Sequence, residues 1–301
     1  NYSTALRIYA NNLGYEATPL LLEAVDSPDK AFRYSALNIA ENLGGVADTR
    51  KWIAKAETAN AEVKAEIIDM LGRRGCEQAN DFILASLNSG AEVVRTEAVN
   101  ALVKLQGSEA IPTLTAHLAQ GKDIEATAKG LNTLLDKDHL YLIAGNLDQS
   151  TGKTKAAFID LIGAKAGSQY FDEILAVTSY SNADEKAAGF AALKQVSSYE
   201  NTDALLKLLL AVSEPSEIIE TQLALIAAVD GIAEEQESNG KVLSTLEQTN
   251  KKARLFPILP TIGGETALET VTGYFNSSTG EQKQAAFTAL TNWQDYAASK
   301  P

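Results

Sequence analysis

Residues 26–45 read DSPDKAFRYSALNIAENLGG. Phe32, Ala36, Ile39, Ala40 and Leu43 fall at i, i+4, i+7, i+8 and i+11, which places them on one stripe of a 3.6-residue helix. Asp26, Ser27, Pro28 and Asp29 supply the side-chain acceptors and the fixed proline φ that start a helix. Gly44 and Gly45 end it, because glycine enters the left-handed conformation without the steric cost of a Cβ. A second, shorter helix is expected over about residues 47–55, with Trp52, Ile53 and Ala56 turned inward. A single hairpin of this kind cannot bury its apolar face by itself, so the pattern requires another hairpin stacked against it.

The grammar recurs about every 31 residues. Gly14, Gly44, Gly75, Gly107, Gly167, Gly231 and Gly263 are separated by 30, 31, 32, 60, 64 and 32 residues, the two long intervals being twice the short one. Val63, Ile67, Met70 and Leu71 lead to Gly75, and Phe82, Ile83 and Leu87 follow. Val94, Ala98, Ala101, Leu102 and Leu105 lead to Gly107, and Ile111, Leu114 and Leu118 follow. The fifth unit has Ile124, Ala128, Leu131, Leu134 and Leu135, then Leu140 to Leu147, without the glycine. Four more units are read at 157–177, 182–212, 215–246 and 251–275. Glu16-Ala17-Thr18-Pro19 and Glu109-Ala110-Ile111-Pro112 open two second helices alike, and Leu43-Gly44-Gly45 is echoed by Ile262-Gly263-Gly264. Alternating segments are too short for strands, and the polar insert 234–240 ends in the turn signal Asn239-Gly240. The expectation is an all-α chain.

These pairs resemble HEAT repeats in their short bacterial form, and the resemblance covers essentially the whole chain. It implies a right-handed α-α superhelix of about nine helical hairpins, forming a single domain over residues 1–301. First helices would lie outside and second helices would line a concave face. The resemblance is specific for architecture and silent on function. Pro257 and Pro260 each remove a backbone hydrogen bond from the ninth first helix and predict a break there. Residues 284–296 read as a tenth first helix, with Phe287, Leu290 and Trp293 on one face and no partner helix before Pro301. The natural chain is therefore expected to continue, or this helix to act as a lid. The start at Asn1 rather than methionine agrees with a processed or excised piece. Residues 285–295, AAFTALTNWQD, resemble the last repeats in a set of Bacteroidetes and planctomycete proteins. There, HEAT-like repeats accompany a 3-keto-glycoside hydrolase module of the family-16-like type, which implies an extracytoplasmic, periplasmic setting. None of that module's own residues is present.

Composition narrows the partners. With 39 acidic against 26 basic residues the net charge is −13, which disfavours phosphate backbones and hence nucleic acid. The plainer role of that charge is to keep a large surface soluble. No run of 18 apolar residues exists to span a membrane. Cys76 is the single cysteine, so no intrachain disulfide can form.

The search for chemistry assigns no catalytic, cofactor-binding or metal-ligating residue. His117 and His139 precede Leu118 and Leu140, not the glutamate of the His-Glu pairs in HEAT-type di-iron hydroxylases. His117 lies at i+3 from Leu114 and reads as a packed histidine. Asp136-Lys137-Asp138 opens like a calcium loop but lacks its glycine and glutamate, and reads as a polar turn. Cys76, next to Gly75, reads as a small residue filling a turn, and a lone cysteine gives no support to a resemblance to HEAT-like bilin lyases. Gly152-Lys153-Thr154 mimics the end of a phosphate loop, but Leu147 stands where its first glycine belongs, so it reads as a helix start. Lys251-Lys252-Ala253-Arg254 is too short for the basic face of HEAT-like DNA glycosylases and reads as a solvated face. Tyr170, Phe171, Tyr180, Tyr274 and Phe275 could stack on sugar or peptide if exposed, with core filling as the plainer role.

The function expected from this sequence is a non-catalytic protein-binding or scaffolding module, its partner a protein or a neighbouring domain of the same chain. The alternative is an accessory, substrate-positioning domain of a carbohydrate-active enzyme. A free-standing enzyme ranks third, and no cofactor is expected.

Overall fold

The computed structural model describes the backbone of residues 2–230 and 237–293, and the side chains of 2–230 and 240–293. Among the described residues every regular element is a helix. The pairs are α1 (Tyr2–Leu13) with α2 (Thr18–Ala24), α3 (Lys30–Glu41) with α4 (Val46–Thr58), and α5 (Ala61–Arg74) with α6 (Asn80–Ser86). Next come α7 (Glu92–Gln106) with α8 (Ile111–Ala119), α9 (Ile124–Leu134) with α10 (Leu140–Ala144), and α11 (Gly152–Ala164) with α12 (Phe171–Val177). The last are α13 (Ala183–Val196) with α14 (Thr202–Ala211), α15 (Pro215–Val229) with α16 (Glu237–Gln248), α17 (Leu259–Ile262) with α18 (Gly264–Ser277), and then α19 (Gly280–Thr291). Nine hairpins and a tenth first helix are thus present among the described residues.

By its internal contacts the chain divides into two compact units, residues 1–142 and 143–301. The division lies within α10, in the pair that lacks the terminal glycine. In the first unit α1, α3, α5, α7 and α9 pack each on the next, and in the second α11, α13 and α15 do the same. Several first helices bury residues of the stripe their sequence predicts: Ala36, Ile39 and Ala40 on α3, Ile67, Met70 and Leu71 on α5, Phe158, Leu161 and Ile162 on α11. On α19 the predicted Phe287 is exposed instead, and Ala286 and Ala289 are buried. Each fully buried large aliphatic side chain favours folding by about 1.5–3 kcal/mol. Glycines tighten crossings in both units. A Cβ on Gly72 of α5 would lie 2.7 Å from the Cα of Ala101 on α7, and one on Gly163 of α11 would lie 3.1 Å from the Cβ of Ala192 on α13.

The helix starts use the expected chemistry. The Asp29 carboxylate accepts the N–H groups of Ala31 and Phe32 at 2.9 and 3.3 Å. Asn60 caps α5 and Asn182 caps α13 in the same way. At the end of α5, Gly75 takes φ +67° and donates its N–H to the Gly72 carbonyl.

Several details depart from the sequence reading. Gly167 has φ −75°, and the left-handed residue after α11 is Ala166, at φ +49°, so an alanine carries the strain that a glycine was expected to relieve. Gly231 lies outside the described residues. With 13 residues against 12, α4 is not shorter than α3, because Gly45 and Asp48 cap it ahead of the expected start and it runs on to Thr58. The insert read as ending in an Asn239-Gly240 turn is helical from Glu237, and its first residues, 234–236, lie outside the described residues. The break predicted at Pro257 and Pro260 is present: residues 252–262 form three short helical pieces. The tenth first helix begins at Gly280 and ends at Thr291, and residues 294–296 of the expected span lie outside the described residues.

Candidate functional site

A cation at the fourth residue of a helix sits near the positive end of the helix dipole and must be held by something else. That position is Arg33, Lys64, Arg95, Lys155, Lys186 and Lys283 in α3, α5, α7, α11, α13 and α19. Arg33 is buried. It donates to the carbonyls of Ser27 and Pro28 at 3.1 and 3.3 Å, to both carboxylate oxygens of Glu66 at 2.7 and 2.8 Å, and to Glu62 at 3.0 Å. The hydrogen bonds it donates to Glu66, with the charge of both acids, hold its pKa above the ordinary arginine value. One period later Arg95 repeats the arrangement. It donates to the carbonyls of Ser89 and Gly90 at 3.0 and 3.4 Å and to both oxygens of Asp123 at 2.8 and 3.0 Å.

Asp123 also meets Nε2 of buried His117 at 3.0 Å. Burial alone would push its carboxyl up, but the hydrogen bonds from Arg95 and His117 outweigh that and hold it below the usual carboxylate range. Asp123 stands at φ +48°, so the same contacts fasten a left-handed turn between α8 and α9. His117 is the packed histidine that the sequence predicts, with a partner six residues away that was not foreseen.

Beside this first cluster, α3, α5 and α7 form a groove of about 200 Å³. Tyr34 and Val93 rise from it exposed, at 51% and 46%. Lys30, Glu62, Glu66, Asp69 and Glu97 frame them. Arg33 ties down Glu66, and Asp69 is shared by Arg73 and Lys104 at 3.1 and 2.7 Å. The acids are therefore fixed in place, while Tyr34, with the Arg73 guanidinium over its ring at 5.9 Å, and Val93 stay about half exposed. A half-exposed aromatic in a polar frame suits contact with another protein.

The other residues singled out in the sequence fall in separate places. Asp136 accepts the N–H groups of Asp138 and His139 and pairs with His139 Nδ1 at 2.6 Å, a closed polar turn. Cys76 is half-buried between Thr49 and Gln78. Gly152 begins α11 as expected. The basic run 251–254 keeps Lys251 exposed, as a solvated face would, but its three cations are tied to main-chain carbonyls. Lys251 donates to the Leu210 carbonyl, Lys252 to Leu246 and Glu247, and Arg254 to Leu209 and Val212, all near the ends of α14 and α16, where free carbonyls attract cations. Among the aromatics, Phe171 is buried, Tyr274 packs on Phe256 at 5.3 Å and Phe275 on Phe287 at 6.0 Å between ring centres. Tyr180 stays 38% exposed. Among the described residues no group of three or more His, Cys, Asp or Glu is placed to hold a metal ion, and no helix is long and apolar enough to cross a membrane.

Residues 49–132, from α4 into α9, match the family model of HEAT repeats. A search of the curated proteins returns no match. Among solved structures, the chain is similar to one from the complex of CpcE and CpcF of phycocyanin lyase from Nostoc sp. PCC7120, at 16% identity and a TM-score of 0.36, covering 77% of this chain and 94% of that one. It is also similar to human deoxyhypusine hydroxylase in complex with glycerol, at 14% identity and a TM-score of 0.34, covering 95% of this chain and 98% of that one. Likenesses this distant carry nothing about chemistry to this chain. The helical pairs of each unit and the match over 49–132 together make the fold an all-α stack of HEAT-like repeats.

Proposed function

We propose that the chain is a protein-binding repeat module that receives its partner in the groove of α3, α5 and α7. The observation that carries this reading is the exposure of Tyr34 and Val93 inside a frame of anchored acids. Rigid side chains lose little entropy on contact, and buried aromatic anchors dominate the energetics of protein interfaces. The rim is mostly carboxylate, so the partner would present basic side chains around an apolar one, and the association would weaken with salt. A neighbouring domain of the same polypeptide would meet the same description. For the accessory role beside a carbohydrate-active module, only Tyr180 of the aromatics considered keeps the exposure a sugar platform needs, and it supports no second reading by itself.

The test is affinity purification of the tagged chain from its own organism, run beside Tyr34→Ser/Val93→Asp and the distant control Phe287→Ser. A partner retained by the control and lost by the double variant is the expected result. Identical partner sets for all three sink the reading. We also read residues 1–301 as one repeat domain serving this role. A single calorimetric transition is expected of it, and two resolved transitions would overturn it.

A further inference from the structure

Lys155, the fourth residue of α11, departs from its counterparts. Arg33, Arg95 and Lys186 each reach an acid of the following segment: Glu62 with Glu66, Asp123, and Glu217. Glu217 is the third residue of α15, and the third residue of α13 is Glu185. Register therefore assigns Glu185 to Lys155. Glu185 is instead turned onto the N–H of Gly152, at the start of α11, where unpaired amides favour an anion. Lys155 is 7% exposed, and among the described residues no ion pair joins it to a carboxylate. Its Nζ stands 5.0 Å from the centre of the Tyr180 ring. Lys64 and Lys283 also lie over rings, of Phe82 and Phe275, but neither is buried.

A cavity of about 240 Å³ opens at this point, within the second unit. Lys155, Leu147, Val177 and Tyr180 line it, and exposed Asp148 and Glu173 stand among its walls. A ring face satisfies an ammonium only in part, and a buried cation without an anion is costly. The cavity thus holds an unspent positive charge within and negative charge at its edge, separated by apolar surface. We propose that it binds a small zwitterion of amino-acid size. The ligand's carboxylate pairs with Lys155, its ammonium faces Asp148 and Glu173, and its apolar side chain lies on Leu147 and Val177. The volume lies below the roughly 300–1,000 Å³ of pockets for larger ligands, which restricts the occupant to a small molecule. The site shares no residue with the groove of α3, α5 and α7, so either assignment can fail without the other.

The test is calorimetric titration of the full chain with L-leucine and L-phenylalanine, then with isocaproate and isoamylamine, which each keep one of leucine's two charges. Saturable binding of at least one amino acid is expected, with both single-charge analogues at least about tenfold weaker than leucine. Lys155→Met, checked by circular dichroism, and the surface variant Glu173→Lys should each weaken binding about tenfold or more. The proposal is overturned if neither amino acid binds, if folded Lys155→Met binds unchanged, or if isocaproate binds as tightly as leucine.

Discussion

Arg33 and Lys155 occupy the same place in the repeat, one in each unit, and are treated in opposite ways. Arg33 is closed from both sides, by carbonyls of the turn before α3 and by carboxylates of α5. Lys155 is covered by a tyrosine ring, and its register acid caps the start of its own helix. One carboxylate's choice between a backbone amide and a side-chain ammonium decides whether the position cements two repeats or leaves a charge to be used. The comparison teaches that in a repeat stack the partner of a cation, and not the cation alone, decides whether a position closes a crossing.

The sharpest way to break this contrast is to remove each cation while keeping its stem. Arg33→Met leaves Glu66 mostly buried without its partner and should cost about 3 kcal/mol or more in urea unfolding. Glycine substitutions compare the units at their tightest crossings. Gly72→Ala pushes a methyl against the Ala101 backbone and should cost about 3 kcal/mol, while Gly163→Ala meets a methyl slightly farther off and should cost about 1 kcal/mol. Equal costs would show that the two crossings relax alike.

Acid sharpens the contrast further. The folded Asp123 carboxyl titrates below its unfolded value of about 3.9, so the stability it contributes is present above about pH 4 and is lost as pH falls through the folded value. Asp123→Asn should lower stability at neutral pH and shrink the difference in urea midpoint between neutral and acid solution. An undiminished difference would place the acid sensitivity elsewhere. The smallest loss belongs to Lys155→Met without ligand, expected to leave stability unchanged or raised, because it removes a buried cation that no carboxylate pairs. A cost near that of Arg33→Met would erase the distinction.

The hairpins were legible because glycine spacing and apolar stripes are local signals. Gly75 ends α5 and Asp29 starts α3 as their residue types dictate. Ala166 shows the limit: its N–H donates to the Gly163 carbonyl and that of Gly167 to the Ile162 carbonyl, and these main-chain bonds close the end of α11 around an exposed alanine at positive φ. The cation posts were harder to read. Arg33 meets Glu66 across 33 residues and Arg95 meets Asp123 across 28, and no local pattern links them. The recurrence of Arg33, Lys64 and Arg95 at 31-residue steps was the available clue, visible only after the units are aligned. The groove residues Tyr34 and Val93 were not singled out, since an exposed apolar residue looks the same in sequence as one that packs. The acceptors of Lys251, Lys252 and Arg254 could not be read because they are main-chain oxygens, which have no signature in the sequence at all.

Those three side chains have a consequence for swapping or deleting repeats. The segment ahead of α17 closes the ends of α14 and α16, two helices from the preceding pairs. A cut placed between α16 and Lys251 would strip both helices of their stoppers, although it falls at a period boundary. Shuffling experiments should carry residues 251–254 along with the pairs they seal, so the exchangeable module at this end of the chain is longer than the period suggests.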